Sequence, residues 1–444
     1  MTDSGNGKNA PSALPTVAVE VSDTAYFGDR TQTLLPGDFS DALDKLSISG
    51  ALSQGLALHV HVPFCAVRCV SCDRVAEVAE NPAIIDQYLT GLDEELHLIT
   101  RRIGRGNRIA QLHVGGGTPN LLNAAQLARL TALVEKHFLV DAKTETSLEI
   151  IPDRTSRTQL ELIRGLGYRH VSFELREVDP EAQQGLGRSY SPELLQDAVE
   201  NARAASFETV SIEIMYGLPG QTAASMKETI LLVSGLEPDR IVTRPFVRKV
   251  QEFTNQKVLD ADFIPTIAEK MAMFVALSDG LEAAGYGWIG INAFAKPGDR
   301  LSRAQERGEL RRNRLGYCTE PARWLIGIGL GAVSEMPTLV SRNQPNLNTW
   351  HGALEQGKHP SSVGVVLNKD DSKQRDGLNM LAVELSAPVA CFTSPHAQQV
   401  ISRLVDASYL KITDGVVAIT PLGRINIQQV WNELASEVRW AHVA

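Results

Sequence analysis

The chain has 444 residues, 43% of them hydrophobic, and a formal net charge of −9 at pH 7. It can bury a full-size core in two or three domains, and the acidic balance argues against a general nucleic-acid binder. No apolar run approaches the roughly 18 residues of a membrane span. The opening Met1-Thr-Asp-Ser-Gly-Asn-Gly-Lys lacks the basic and apolar regions of a signal peptide, so a cytoplasmic location is expected.

In chain order, residues 1–50 read as an N-terminal extension, partly disordered, because the first stretch is rich in Gly, Ser, Asn and Pro. Strand–helix alternation begins at Ala57. A strand from Ala57 to Val62 runs into His61-Val-Pro-Phe-Cys65-Ala-Val-Arg-Cys69-Val-Ser-Cys72. This C-x3-C-x2-C spacing supplies three thiolates and no fourth. An iron–sulfur cube takes one thiolate on each of four irons, so three would leave one iron open to another ligand. A zinc site completed by His59 or His61 is the plainer alternative. Cys318 and Cys391, the other two of five cysteines, read as small buried hydrophobes.

Asn81-Pro82 marks the start of a helix whose apolar face is Ile85, Tyr88, Leu89, Leu92, Leu96 and Ile99. A strand from Ile109 to Val114 leads into Gly115-Gly-Gly-Thr-Pro119, where glycines let backbone approach a ligand closely. Asn123 with Gln126 has capping-box spacing. Three later strands share one text: Ser147-Leu-Glu-Ile, Ser172-Phe-Glu-Leu and Ser211-Ile-Glu-Ile. Alternation puts Ser and Glu of each on one face. With the apolar pairs against outer helices, Glu149, Glu174 and Glu213 face the interior, either as functional carboxylates or as salt-bridge partners of Arg154, Arg176 or Arg188. A helix near Pro265 to Ala284 and a strand-like Tyr286 to Phe294 follow. The expected fold class is α/β, with about six repeats curling a parallel sheet into a barrel over residues 51–300.

Residues 301–370 read as a connecting, substrate-side segment. They open on a basic run from Arg300 to Arg314 with six arginines, either facing an acidic ligand or forming a solvated helix face. Residues 371–444 read as a mainly helical, winged-helix-like domain: helices over Asp376 to Leu385 and His396 to Asp406, a hairpin turned by Asp414-Gly415, and a helix from Leu422. Without a basic surplus it is a lid or packing module and not a DNA reader.

Together, His61-Val-Pro-Phe-Cys65-x3-Cys69-x2-Cys72, Gly-Gly-Gly-Thr-Pro, Tyr216-Gly-Leu-Pro219, Pro238-Asp-Arg240 and Gly316-Tyr-Cys-Thr319 resemble the oxygen-independent coproporphyrinogen III oxidases. These are radical S-adenosylmethionine (SAM) enzymes of haem biosynthesis, and the likeness runs from about Leu56 to the C-terminus. It implies a partial (βα)6 barrel, a 4Fe–4S cluster on Cys65, Cys69 and Cys72, and two bound SAM molecules, of which the departures below put the second in question. The implied reaction converts two propionates of a porphyrinogen to vinyl groups with loss of CO2, drawing on a reducing electron donor in a monomeric chain. By matching position, Gly116, Gly117 and Thr118 line the SAM sites. Glu149 and Arg188 keep their family character, and Glu213 stands for a shorter acid. Val247 and Val333 contact SAM through backbone or packing, and Ser71 takes a SAM-facing place that is normally aromatic. No residue is singled out as catalytic.

Several positions depart from that pattern. His59 stands for a tyrosine, Arg74 for a further cysteine, Arg176 for a glutamine expected at the second SAM, Glu174 for glycine, Ile151 for aspartate, and Asn292-Ala293 for Asp-His. Tyr26-Phe-Gly-Asp-Arg-Thr follows the family's Arg-Tyr-Thr pattern only loosely. Two other readings therefore stand beside the oxidase. One is a paralogue running methyl or methylene transfer. The other is a haem carrier on the same scaffold, with axial ligands among ten histidines.

Overall fold

The structure, a computed structural model, describes residues 32–78, 81–175, 186, 191–250 and 253–435. Its centre is a run of six parallel strands, β1 (Leu56–Val62), β2 (Gln111–Gly116), β3 (Glu145–Ile150), β4 (His170–Leu175), β5 (Thr209–Tyr216) and β6 (Arg240–Pro245), adjacent in that order. In the three Ser-x-Glu strands the apolar pair is buried while Ser and Glu are half-exposed. Parallel register pairs His59 with His113 and His113 with Ser147, and it sets Glu149 beside Ser172 and Glu174 beside Glu213. The polar residues are thus stacked in layers on the inner face.

The sheet continues past both ends of this run. On one side β7 (Trp324–Ile328) pairs parallel to β1, and β8 (Val333–Met336), β9 (Leu339–Asn343) and β10 (Ser361–Val366) follow antiparallel. Residues after 300, expected as a connector, thus supply four strands of the same 13-stranded sheet. On the other side, the stretch expected as one strand from Tyr286 to Phe294 is a small hairpin, Gly287–Ile289 with Ala293–Ala295. It turns at Gly290, whose φ of 51° is left-handed and whose space for a Cβ is taken by the Tyr317 hydroxyl. The strand order is linear, which makes a partial barrel.

Helix signals match their positions. Asn81 caps Pro82–Ile103 by accepting from the Ala83 N–H at 3.0 Å, and Asn123 and Gln126 form a reciprocal capping box. The basic run is structural: Arg300 pairs with Glu145 at 3.7 Å, Arg307 with Glu309 at 2.7 Å, and Arg312 lies over the rings of Tyr317 and Trp431. Gly316–Cys318 pairs with Arg311–Asn313 beneath the barrel. There the Thr319 and Glu320 N–H groups and the Thr319 hydroxyl all donate to Glu145. Arg240 is doubly bonded to Asp299 at 2.9 Å nearby. This polar layer lies at the starts of β3 and β6, the end of the parallel strands opposite the cysteines.

The C-terminal part has helices Lys369–Glu384 and Pro395–Asp406 and a three-stranded sheet with a hairpin at Asp414-Gly415, both residues at positive φ as a type I′ turn requires. It docks through Tyr317, whose hydroxyl donates to the Ala382 carbonyl at 2.8 Å, and Arg375, which donates to the Met336 carbonyl at 3.1 Å. Among the described residues no helix is long and apolar enough to cross a membrane.

One buried carboxylate ties helix to sheet. Glu95, fully buried, accepts from the Gly329 N–H at 2.9 Å, Asn343 Nδ2 at 2.6 Å and Trp350 Nε1 at 3.2 Å. Glu95→Ala leaves these donors unsatisfied without water. It should cost about 3 kcal/mol, read as a lower urea midpoint with unchanged slope.

Candidate active site

The cysteine loop is held by backbone contacts to the strand end beside it. β1 ends at Val62, and the Gly117 N–H donates back to the Val62 carbonyl at 2.7 Å while the Thr118 N–H donates to Phe64 at 2.8 Å. This approach needs glycine. A Cβ on Gly117 would lie 2.7 Å from the Phe64 oxygen, one on Gly116 2.6 Å from the His61 ring, and one on Gly115 2.8 Å from the Glu149 carboxyl carbon. Of the three glycines, read from sequence as a ligand-facing loop, Gly116 and Gly117 thus serve packing against the entry to the cysteine loop, and Gly115 leaves room for the Glu149 carboxyl. Two residues that carried no recognisable sequence signal hold the loop from the other side. Asn255 Nδ2 donates to the carbonyls of Cys69, Val70 and Cys72 at 3.2, 3.0 and 2.9 Å, and the buried Gln256 donates to those of Ser71 and Cys72.

Cys65, Cys69 and Cys72 are buried, pack on one another with Ala76, and none forms a disulfide. Three unbridged thiols on one loop fit the donor set of a cluster with an open iron. His61 Nε2 donates to the Val75 carbonyl at 2.7 Å. Burial lowers His61 to about 4, and burial with neighbouring His113 and His61 holds His59 well below its ordinary value, so both rings are neutral. His59 sits between them, 5.9 Å from the His61 ring and 5.5 Å from that of His113.

Below the loop, the inner face carries a charged network. Arg74, two residues past Cys72, is ion-paired with Glu149, lies 3.8 Å from Glu213, and donates to the Gly116 carbonyl at 3.4 Å. Arg244 joins Glu213 at 3.0 Å, Asp73 at 2.8 Å and Glu174 at 3.6 Å. The carboxylates of the repeated strand text are thus salt-bridged by Arg74 and Arg244. Of the sequence candidates, Arg176 and Arg188 lie outside the described residues. Glu149 also accepts from the Gly116 N–H at 3.2 Å, and the His113 ring is 3.2 Å away. Burial opposes its charge, but Arg74, His113 and that N–H outweigh burial and hold its carboxyl well below the ordinary range. Glu213 shifts the other way: burial raises it, with help from Glu174 and Glu149, against the pull of Arg244 and Arg74.

The remaining candidates divide. Gly116, Gly117, Thr118, Glu149, Glu213 and His59 gather around the loop and the interior. Ser71 is buried under it with its carbonyl on Gln256. Val333 presents backbone to Gly327, the neighbour of His59 across the sheet. Val247 is half-buried just past Phe246, whose N–H donates to Tyr216. Asn292, a departure from the resembled pattern, is buried and bonds Thr243 through its own side chain and carbonyl.

Asn255→Ala should loosen the loop without unfolding the barrel, lowering iron retention by roughly 10-fold on dilution against a chelator. Because Glu149 is held below its ordinary value of 4.5, its stabilisation is complete above that pH and is lost as pH falls through the folded-state value. Glu149→Gln should therefore lower the urea midpoint at pH 7 and converge with the parent as pH is taken below the ordinary carboxylate range.

Comparison with known proteins agrees with this geometry. The Radical SAM superfamily model matches residues 59–233. Oxygen-independent coproporphyrinogen III oxidase of Pseudomonas aeruginosa is 33% identical over 77% of this chain and 75% of its own, and that of Synechocystis sp. is 30% identical over 89% and 87%. The solved structure of coproporphyrinogen III oxidase from Escherichia coli, described as a radical SAM enzyme, superposes with a TM-score of 0.82 at 27% identity, covering 91% of this chain and 94% of that one. On these likenesses to relatives of 30% identity or more, this chain belongs to the oxygen-independent coproporphyrinogen III oxidase family of radical SAM proteins.

Proposed function

We infer that the chain is an oxidoreductase that carries out oxygen-independent oxidative decarboxylation of coproporphyrinogen III, turning propionate side chains into vinyl groups and yielding protoporphyrinogen IX. The observation that carries this reading is the trio of buried, unbridged cysteines at the mouth of a carboxylate-lined barrel. Cys65, Cys69 and Cys72 would hold the 4Fe–4S cluster, which with SAM supplies the hydrogen-abstracting radical when bound. In the reaction so read, a hydrogen atom leaves a propionate, CO2 departs, and one electron passes to an external acceptor as the double bond forms. A reducing partner supplies the electron that starts each cycle, and the chain acts as a monomer.

The protein's own residues favour a cationic cofactor. Asp73, Glu149, Glu174 and Glu213 stand around Arg74 and Arg244, so carboxylates face the interior where a sulfonium and an ammonium would sit. The neutral His59 and His61 add polarity without positive charge. Glu174 and Arg74, where relatives carry glycine and cysteine, occupy the chamber with their ion pairs. We take the chamber to hold one SAM.

Anaerobically reconstituted protein with SAM, reductant and coproporphyrinogen III should give the divinyl product, and equilibrium dialysis should return one SAM per cluster. SAM cleavage without decarboxylation would exclude the oxidase. The altered chamber charges favour one second reading, methyl or methylene transfer, whose mark is S-adenosylhomocysteine alongside 5′-deoxyadenosine.

A further inference from the structure

Thr118 ends the glycine run and is expected from family position to face SAM. Its surroundings indicate another task. The residue is 1% exposed, and its backbone is pinned at both ends: the N–H donates to Phe64 at 2.8 Å and the carbonyl accepts from Leu121 at 2.9 Å. Its neighbour Gly117 is fixed to Val62 in the same way. With the main chain immobile, the side chain points at the cysteine loop, and the hydroxyl donates to Cys65 Sγ at 3.5 Å.

We propose that Thr118 is a positioning residue for the cluster, its hydroxyl donating a hydrogen bond to the Cys65 thiolate and raising the reduction potential of the bound 4Fe–4S centre. The physical basis is general. A donor to a ligating sulfur withdraws negative charge from it, and this stabilises the more negative, reduced state of the cluster more than the oxidised one. Burial sharpens the effect, since no water competes for the hydroxyl and the local dielectric is low. Cys72 meets the Arg74 carbonyl at 3.7 Å. Arg74 itself, though a nearby cation, has its charge directed to Glu149 and Glu213, while the Thr118 hydroxyl is aimed at sulfur.

This proposal rests on the cluster of the functional reading but not on its substrate. The test is a potentiometric titration of the reconstituted cluster, followed by electron paramagnetic resonance, without SAM or porphyrinogen. Thr118→Val keeps the shape and removes the donor, while Thr118→Ser keeps the donor and removes a methyl. The valine variant should bind iron as the parent does yet show a midpoint shifted to more negative potential, and the serine variant should stay with the parent. SAM affinity should be the same in all three. A valine variant with unmoved potential, or a serine variant shifted equally, overturns this role for Thr118 and leaves the oxidase reading intact. A valine variant with unmoved potential but weakened SAM binding assigns the residue to the cofactor instead. Parent protein that assembles no cluster on Cys65, Cys69 and Cys72 overturns both.

Discussion

The close approach of β2 to the cysteine loop, through Gly116 and Gly117, is the contact on which the mouth of the barrel depends. Backbone oxygens of Pro63 and Phe64 and the His61 ring already fill the space that side chains would need there. Two main-chain hydrogen bonds then replace what side-chain packing would have done. The loop is fixed by its carbonyls and amides, with Asn255 and Gln256 holding the far side. Rigid support around a donor set is what a reactive centre requires.

The charged interior is a second consequence of strand register. Parallel pairing lines up Glu149, Glu174 and Glu213 on neighbouring strands, and buried carboxylates are tolerated only with partners. Arg74 from the loop and Arg244 from β6 provide them, so that loop and barrel wall are joined electrostatically as well as by backbone. Their carboxyls are pushed in opposite directions: Arg74, His113 and the Gly116 N–H hold Glu149 low, whereas burial raises Glu213. Perturbed carboxyls gathered in one interior are a feature of functional sites.

Much of this was legible in sequence, for local reasons. The Ser-x-Glu strands announce their inner face by period-two alternation, Asn81-Pro82 and Asn123-Gln126 cap helices through neighbouring amides, and the cysteine spacing is itself the ligand set. What escaped detection depends on contacts distant in sequence. Nothing near Arg74 announces Glu149, seventy-five positions away, and Asn255 and Gln256 reach the loop from more than 180 positions on. The four strands after residue 300 are short and join the sheet at its edge, so no helix-alternating rhythm marks them. The break at Gly290 follows from a tyrosine hydroxyl contributed by another segment.

The polar layer of Glu145, Thr319, Arg240 and Asp299 is built from four segments far apart in the chain. Replacing either carboxylate there would strand donors contributed by another segment, so that pole of the sheet stands or falls as one unit.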